Sequence, residues 1–334
     1  MRLSRRNVLI GGGAAAAALT CAGVALAQRP QAFGSATAVK VEAEPISQLS
    51  TTDPDRTRFG ALQFRSGVDL RSPVSAFGGF SGLWRSGDGR DIIALADNAQ
   101  WLKARIETAD GRLAGLSGAV LSPLLLSSGT PLRRSRFYDT ESLALSANAA
   151  FIGVERNHAI IRFERSRAGG LVRGVPIPVP EKLKDLPSNG GLEAIGIAPQ
   201  RSALAGALVG LAEGGRGFIL TGPRAGVFEV VRSGGFDTTD LAFLPGGDVV
   251  ILERRFSLFG GFGCRLRRIE AASIKPNAGV DGEVIYESQA SHQMDNMEGL
   301  AVHREGSEIV LSLISDNNFS ALQRTLLLEF SLVE

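Results

Sequence analysis

The chain has 334 residues, 44% hydrophobic and 21% charged, with 36 Lys and Arg against 34 Asp and Glu for a formal net charge of +2. That balance suits a globular protein with apolar material for a large core and excludes disorder as the default. The 41 glycines, without a collagen period, favour numerous tight turns and therefore short strands.

Residues 1–27 read as an export signal. Ser4-Arg5-Arg6-Asn7-Val8 precedes a Gly- and Ala-rich apolar stretch that ends at Ala25-Leu26-Ala27, before Gln28. The paired arginines resemble a twin-arginine signal, with Val8 where an aromatic is usual, and Ala25-Leu26-Ala27 suits cleavage. A single membrane anchor is the alternative, because the stretch is about 20 residues long, near the lower spanning length. Cys21 is a poor lipid-attachment site after Leu19-Thr20. The favoured product is cleaved, soluble, and periplasmic or secreted, with no membrane association after cleavage. Losing Arg2, Arg5 and Arg6 and no acid takes the formal charge from +2 to −1, so the basic pI implies no nucleic-acid partner. Only Cys264 would remain, so no internal disulfide is expected. Residues 28–55, with Pro30, Pro45 and Pro54, are expected as an extended lead-in, and residues 56–334 as one domain.

Phe59–Phe64 and Val68–Leu70 alternate as a strand pair expected to turn at Arg65-Ser66-Gly67. A short phrase then recurs five times: Phe80-Ser81-Gly82-Leu83, Asp139-Thr140-Glu141-Ser142-Leu143, Gly191-Leu192-Glu193-Ala194-Ile195, Thr238-Thr239-Asp240-Leu241-Ala242 and Asn296-Met297-Glu298-Gly299-Leu300. Its anchors, Ser81, Glu141, Glu193, Asp240 and Glu298, are spaced by 60, 52, 47 and 58 residues, about one four-stranded propeller blade with loops. Each phrase leads, after turns such as Ser86-Gly87-Asp88-Gly89, Pro245-Gly246-Gly247-Asp248 and Arg304-Glu305-Gly306-Ser307, into an apolar run suited to a strand buried on both faces. These runs end at Asp97, Glu155, Glu213, Glu253 and Asp316. Long inserts are expected at 98–137, 167–190 and 255–294, although Ala99–Arg112 also reads as a strand pair around Asp110-Gly111. Thr325–Leu332 is a C-terminal strand able to complete a blade with the N-terminal pair. The expected fold is an all-β propeller closed by strands from both chain ends. Six blades are preferred, with five or seven as alternatives; the oligomeric state is open.

In order along the chain, Gly79–Leu83, Asp139–Leu143, Glu155-Arg156-Asn157-His158, Asn189–Ala194, Leu252–Phe256, Asp295–Leu300, Ser315–Ser320 and Gln323-Arg324-Thr325 resemble the phytase-like, or esterase-like, domain of exported bacterial proteins. The resemblance spans about Phe59–Leu332 and implies a β-propeller with phosphoester or ester hydrolase activity, the substrate being a small-molecule ester or phosphoester. Fold membership alone does not define the substrate.

If the first strands line a channel, Glu141, Glu193, Asp240 and Glu298 project toward one axis. Clustered carboxylates raise one another's pKa, and a hard cation, protonation or arginines relieve them. Oxygen ligands without clustered His or Cys select Ca²⁺ or Mg²⁺, calcium being favoured, and Asn189 or Asn296 can add neutral oxygens. The competing reading makes these acids backbone caps that stitch neighbouring blades. Convergence on one point would mark the cation site, and ties to local backbone the staples. Glu155, Glu213, Glu253 and Asp316 are expected mainly as partners of Arg156, Arg254 and Arg324. Arg156, Arg254, Arg255 and Arg324 are also the candidates for holding phosphate. Candidate catalytic residues are Glu141, Glu298 and His158. Ser81 beside His158 or His292 could form a nucleophile–base pair, but without a G-x-S-x-G phrase a structural hydroxyl is the better reading. The alternative function is a non-catalytic propeller that binds a ligand or envelope protein.

Overall fold

The computed structural model describes residues 34–258 and 260–333, so the expected export signal at 1–27, with Cys21, lies outside the described residues. Among these, no helix is long and apolar enough to cross a membrane. Five mainly antiparallel sheets succeed one another, and among the described residues helix is confined to Glu181–Lys184 and short 3-10 turns.

Blade 1 contains Phe80–Arg85, Asp91–Ala96, Gln100–Ala109 and Arg112–Pro123; blade 2 contains Thr140–Leu145, Ala149–Val154, Ala159–Arg165 and Leu171–Ile177. Blade 3 is Leu192–Ile197, Leu208–Ala212, Arg216–Ile219 and Gly226–Val230, and blade 4 is Asp237–Phe243, Val249–Ser257, Gly261–Ile269 and Glu283–Glu287. Blade 5 takes Met297–Glu305, Glu308–Ser315 and Thr325–Leu332 from the C-terminal side, then Leu62–Arg71 from the N-terminal side, paired antiparallel with Thr325–Leu332. The first strands touch in cyclic order, with Met297–Glu305 against Phe80–Arg85, so the ring closes.

Apolar runs form the middle strands because each blade buries both faces against its neighbours. A separate core fills each gap. Leu95 and Ile152 pack between blades 1 and 2, Ile195 and Ile160 between 2 and 3, and Leu211 and Ile251 between 3 and 4. Leu252 and Leu313 join blades 4 and 5, and Leu327 and Leu102 join 5 and 1. A fully buried Leu or Ile contributes roughly 1.5–3 kcal/mol relative to exposure. Turns between first and second strands use the expected glycines, such as Gly247 at φ 110°.

The ring has five blades, not the preferred six, because the N-terminal segment supplies the fourth strand of blade 5 instead of starting its own sheet. Arg65-Ser66-Gly67 is no turn: Leu62–Arg71 is one continuous strand that absorbs an extra residue as a bulge between Phe64 and Ser66. The lead-in is more structured than expected. Thr37–Ala38 adds to the outer edge of blade 1 and Glu42–Ile46 to that of blade 5, a second clasp over the same joint. Pro45, lacking an N–H, suits that outermost strand. The expected long inserts largely resolve into outer strands, with the hairpin turn of blade 1 at Asp110-Gly111.

Candidate functional site

In every first strand the pairing slips by one residue near its start. Phe80 pairs with Ala96 and Gly82 with Leu95, which leaves Ser81 as the extra residue. The same slip isolates Glu141, Glu193 and Glu298. In blade 4, however, Thr238 pairs with Glu253 and Asp240 with Leu252, so the extra residue is Thr239. A bulge turns its extra residue out of the ladder. The equivalent positions are therefore Ser81, Glu141, Glu193, Thr239 and Glu298, and on the second strands the positions one past the partner of the residue before each bulge are Asp97, Glu155, Glu213, Arg254 and Asp316. First strands start and second strands end at the same side of each blade, so both sets belong to one mouth of the ring.

This one-residue offset separates Asp240 from the other three expected ligands. Its Oδ1 accepts the Leu241 N–H at 2.8 Å and its Oδ2 the Leu300 N–H at 2.6 Å, stapling blade 4 to blade 5. Burial still pushes its carboxyl well above the usual range, against those two donors. Hydroxyls make similar stitches: Ser81 donates to the Thr140 carbonyl, Ser142 to Leu192 and Thr239 to Met297, each on the next blade. Replacing Asp240 by alanine strands the buried Leu300 N–H and is expected to cost about 1–3 kcal/mol, read as a lower midpoint in urea unfolding. An unchanged midpoint would remove its role as a staple.

Glu141, Glu193 and Glu298 stay together at the mouth, where each keeps part of its surface open. Burial, then the charges of Glu193, Asp97, Glu298 and Asp139, hold the Glu141 carboxyl well above its ordinary value. Burial, then Glu155, Glu298 and Glu213, do the same to Glu193, with Arg254 opposing. Glu298 is raised by burial, but Arg254 and the Asn296 amide offset it. Asp316 is driven well up by burial, Glu298 and Asp97. Glu155 is raised to about 7 by burial, Asp139 and Glu213, while Arg156 and the Gly191 N–H pull the other way. Only glycine fits at 191, since a Cβ there would lie 2.7 Å from the Glu155 Cα and carbonyl oxygen. Carboxylate oxygens of Asp139, Glu141 and Glu155 approach within 4.8 Å of one another, close enough to share a cation.

The arginines divide. Arg156 bonds Asp139 at 2.5 Å, not the adjacent Glu155. Arg254 reaches Glu298 at 2.7 Å, the Asn296 Oδ1 at 2.8 Å and Glu213 at 3.9 Å, and these acids hold it charged although burial opposes them. It occupies, as a cation, the place that the other blades give to an acid. Arg255 turns away to the Gly234 carbonyl and stacks over Phe236. Arg324 lies 3.9 Å from Asp295 and lines a polar groove of about 350 Å³ with Asp69, Arg71 and Gln293. The structure thus brings Arg156 and Arg254 to the acid mouth and leaves Arg255 and Arg324 outside their contact network.

A family model described as "Phytase-like: Esterase-like activity of phytase" matches residues 75–319, well over half of the chain. The chain belongs to the phytase-like family. No curated protein matches it. Among solved structures, the phytase-like chain is similar to glutaminyl cyclase from Myxococcus xanthus at 11% identity and TM-score 0.39, covering 90% of this chain and 97% of that one. It is also similar to U3-55K, at 9% identity and TM-score 0.39 over 75% and 95% of the two chains. A third is the β-propeller domain of Myceliophteria thermophila Cps50 (Swd1), at 11% identity and TM-score 0.36 over 86% and 99%.

Within the phytase-like domain Ser81 is committed to the Thr140 carbonyl, and His292 is bonded to Tyr286 and stacked against it, so the structure shows no nucleophile–base contact between them. His158 closes the turn after Val154, with φ 46° and its backbone N–H on the Glu155 carbonyl. Its ring Nδ1 is buried with no hydrogen-bond partner among the described residues. Sequence reasoning missed Asp139 as a member of the acid group, while Asp97 joins it as one of the acids that end the second strands. Asp139 stands two places before Glu141 in the recurring phrase, the position of Asn296 before Glu298, and that parity was the available signal. It also misplaced Glu253, which lies inside blade 4 with Arg265 at 2.7 Å and Arg267 at 2.5 Å.

Proposed function

We propose that the mouth of this phytase-like propeller binds a divalent cation, calcium being favoured, and takes a small anionic ester, a phosphoester or a carboxylic ester, for hydrolysis. The observation that carries this reading is the convergence of Asp139, Glu141 and Glu155 in one oxygen-only group, with Glu193 and Glu298 close enough to add to the burial that raises the Glu141 carboxyl. The residues fit a hard cation: all donors are oxygen, and burial together with the neighbouring acids holds Glu141, Glu155 and Glu193 above the ordinary carboxyl range, a cost that a bound cation would relieve. A bound cation would supply Lewis-acid polarisation of an ester oxygen. Arg156 and Arg254, the arginines held at the mouth by Asp139 and Glu298, would orient the anion through their guanidinium forks. Glu141 and Glu298 are the candidates for handling a proton. His158, next to the Glu155–Arg156 turn, is a third.

The second reading, a non-catalytic binding propeller, draws support from Asp240, the one expected ligand that serves as a staple. The export signal and a periplasmic or secreted location remain part of the proposal on the strength of residues 1–27.

Thermal unfolding with Ca²⁺, Mg²⁺ or Mn²⁺ tests the site. Ligand binding to the folded state alone adds about 1.4 kcal/mol per decade of free ion above Kd, so Tm should climb steadily with concentration. A flat response to all three ions would end the cation reading. Turnover of p-nitrophenyl phosphate or p-nitrophenyl acetate, abolished by a chelator and by Glu141→Gln, would decide for hydrolysis; a cation-dependent Tm with no turnover of either would favour the binding module.

A further inference from the structure

One element of the mouth is apolar. The hairpin of blade 4 runs in unbroken register from the pair Val249–Ile269 to the pair Ser257–Gly261, three pairs beyond Arg254. Phe256 is two residues past Arg254, so it shares that face of the strand and stands roughly 7 Å farther out. Phe262 sits directly opposite it, with ring centroids 5.0 Å apart. Phe256 is 62% exposed and Leu258, just past the strand, 84% exposed. Leu322, on the mouth-side loop of blade 5 that follows Asp316, is 95% exposed. Phe256, Phe262 and Leu258 stand together on this ribbon, with no covering element among the described residues, and mark a contact surface. The face they occupy is the one from which Arg254 reaches Asn296 and Glu298.

We propose that the ester taken at this mouth is an amphiphile, with its anionic head at the Arg254 side of the acid group and its hydrocarbon chain along Phe256, Phe262 and Leu258. The inference rests on the reading of the mouth as an anionic-ester site and adds the substrate class. Charge favours a single amphiphile over a bilayer surface. Glu213 and Glu298 beside Arg254 repel an anionic bilayer spread across the mouth, whereas a single headgroup needs only Arg254 and a bound cation as its partners.

The test is calorimetric titration of the full, calcium-loaded protein with dihexanoyl phosphatidate, below its critical micelle concentration, and with glycerol 3-phosphate, which has the same head and no chains. The diacyl ligand should bind at least about tenfold more tightly. In the double variant Phe256→Ser, Leu258→Ser that preference should collapse toward one. Leu258→Ser alone, at a position too exposed to matter for folding, should cut it roughly threefold. Equal affinity of the wild type for both ligands would overturn the amphiphile while leaving the anion site intact. Failure of both ligands to bind would remove the anion site and the amphiphile together. Binding of anionic vesicles that depends on Phe256 and Leu258, without binding of the monomeric diacyl ligand, would show a membrane-docking hairpin instead and overturn the proposal.

Discussion

Alanine in place of Glu253 is expected to destabilise the domain by roughly 3–5 kcal/mol, the cost of leaving buried charges without their partner. Glu253 lies inside blade 4 with one oxygen on the Arg265 Nε at 2.7 Å and the Arg267 Nε at 2.9 Å, and the other on the Arg267 Nη2 at 2.5 Å. Arg267 is also among the largest fully buried side chains. Removing the carboxylate leaves Arg265 with Ser233, and leaves Arg267 with the Val231 carbonyl and the largely exposed Asp281. Urea unfolding would show the loss as a lower midpoint. The cation-induced shift in Tm should survive in whatever fraction remains folded, because Glu253 does not face the mouth. A variant of unchanged stability that loses the cation response would return Glu253 to the mouth acids.

Glu141→Gln should have the opposite signature: greater stability without cation at pH 8, none gained at pH 4, and no Tm response to calcium. A carboxyl whose folded pKa is raised contributes stability that is present below its unfolded value and lost as pH rises through the folded one. Glu141 and Glu193 are raised well above the ordinary range and Glu155 to about 7, so the cation-free protein should lose stability as pH rises from about 4.5 to beyond 7. Glutamine at 141 removes one of the repelling charges and flattens that decline. Calcium should flatten it in the wild type, since an ion among the carboxylates lowers their folded pKa values. Melting curves from pH 4 to 8, with and without calcium, carry the comparison. A wild-type Tm that rises over this range in the absence of cation would contradict the electrostatics of the mouth.

Much of this architecture is legible along the chain. The recurring phrase marks all five first strands, the apolar runs from Asp91, Ala150, Asp248 and Glu308 mark second strands, and Thr325–Leu332 is the strand that meets the N-terminal segment. These features are local, resting on apolar content and turn residues within a few positions. Blade number was harder to read, because whether Leu62–Arg71 begins a sheet or completes one depends on a partner more than 250 residues away.

The site shows the same division. The chain alone determines that acids recur at the start of first strands and the end of second strands, and that the group lacks clustered His or Cys. Only the tertiary structure decides which of them meet. Alignment by acids makes Asp240 and Glu253 equivalent to Glu141 and Glu155, but the bulge of blade 4 falls on Thr239, and the pairing carries Arg254 into the outer position. Side chains alternate with a period of two, so a slip of one residue sends Asp240 and Glu253 from the mouth into the protein interior and brings an arginine out among the acids. No local pattern reveals that slip, because it is set by how Thr239 and Asp240 bond to Met297 and Leu300 of the next blade.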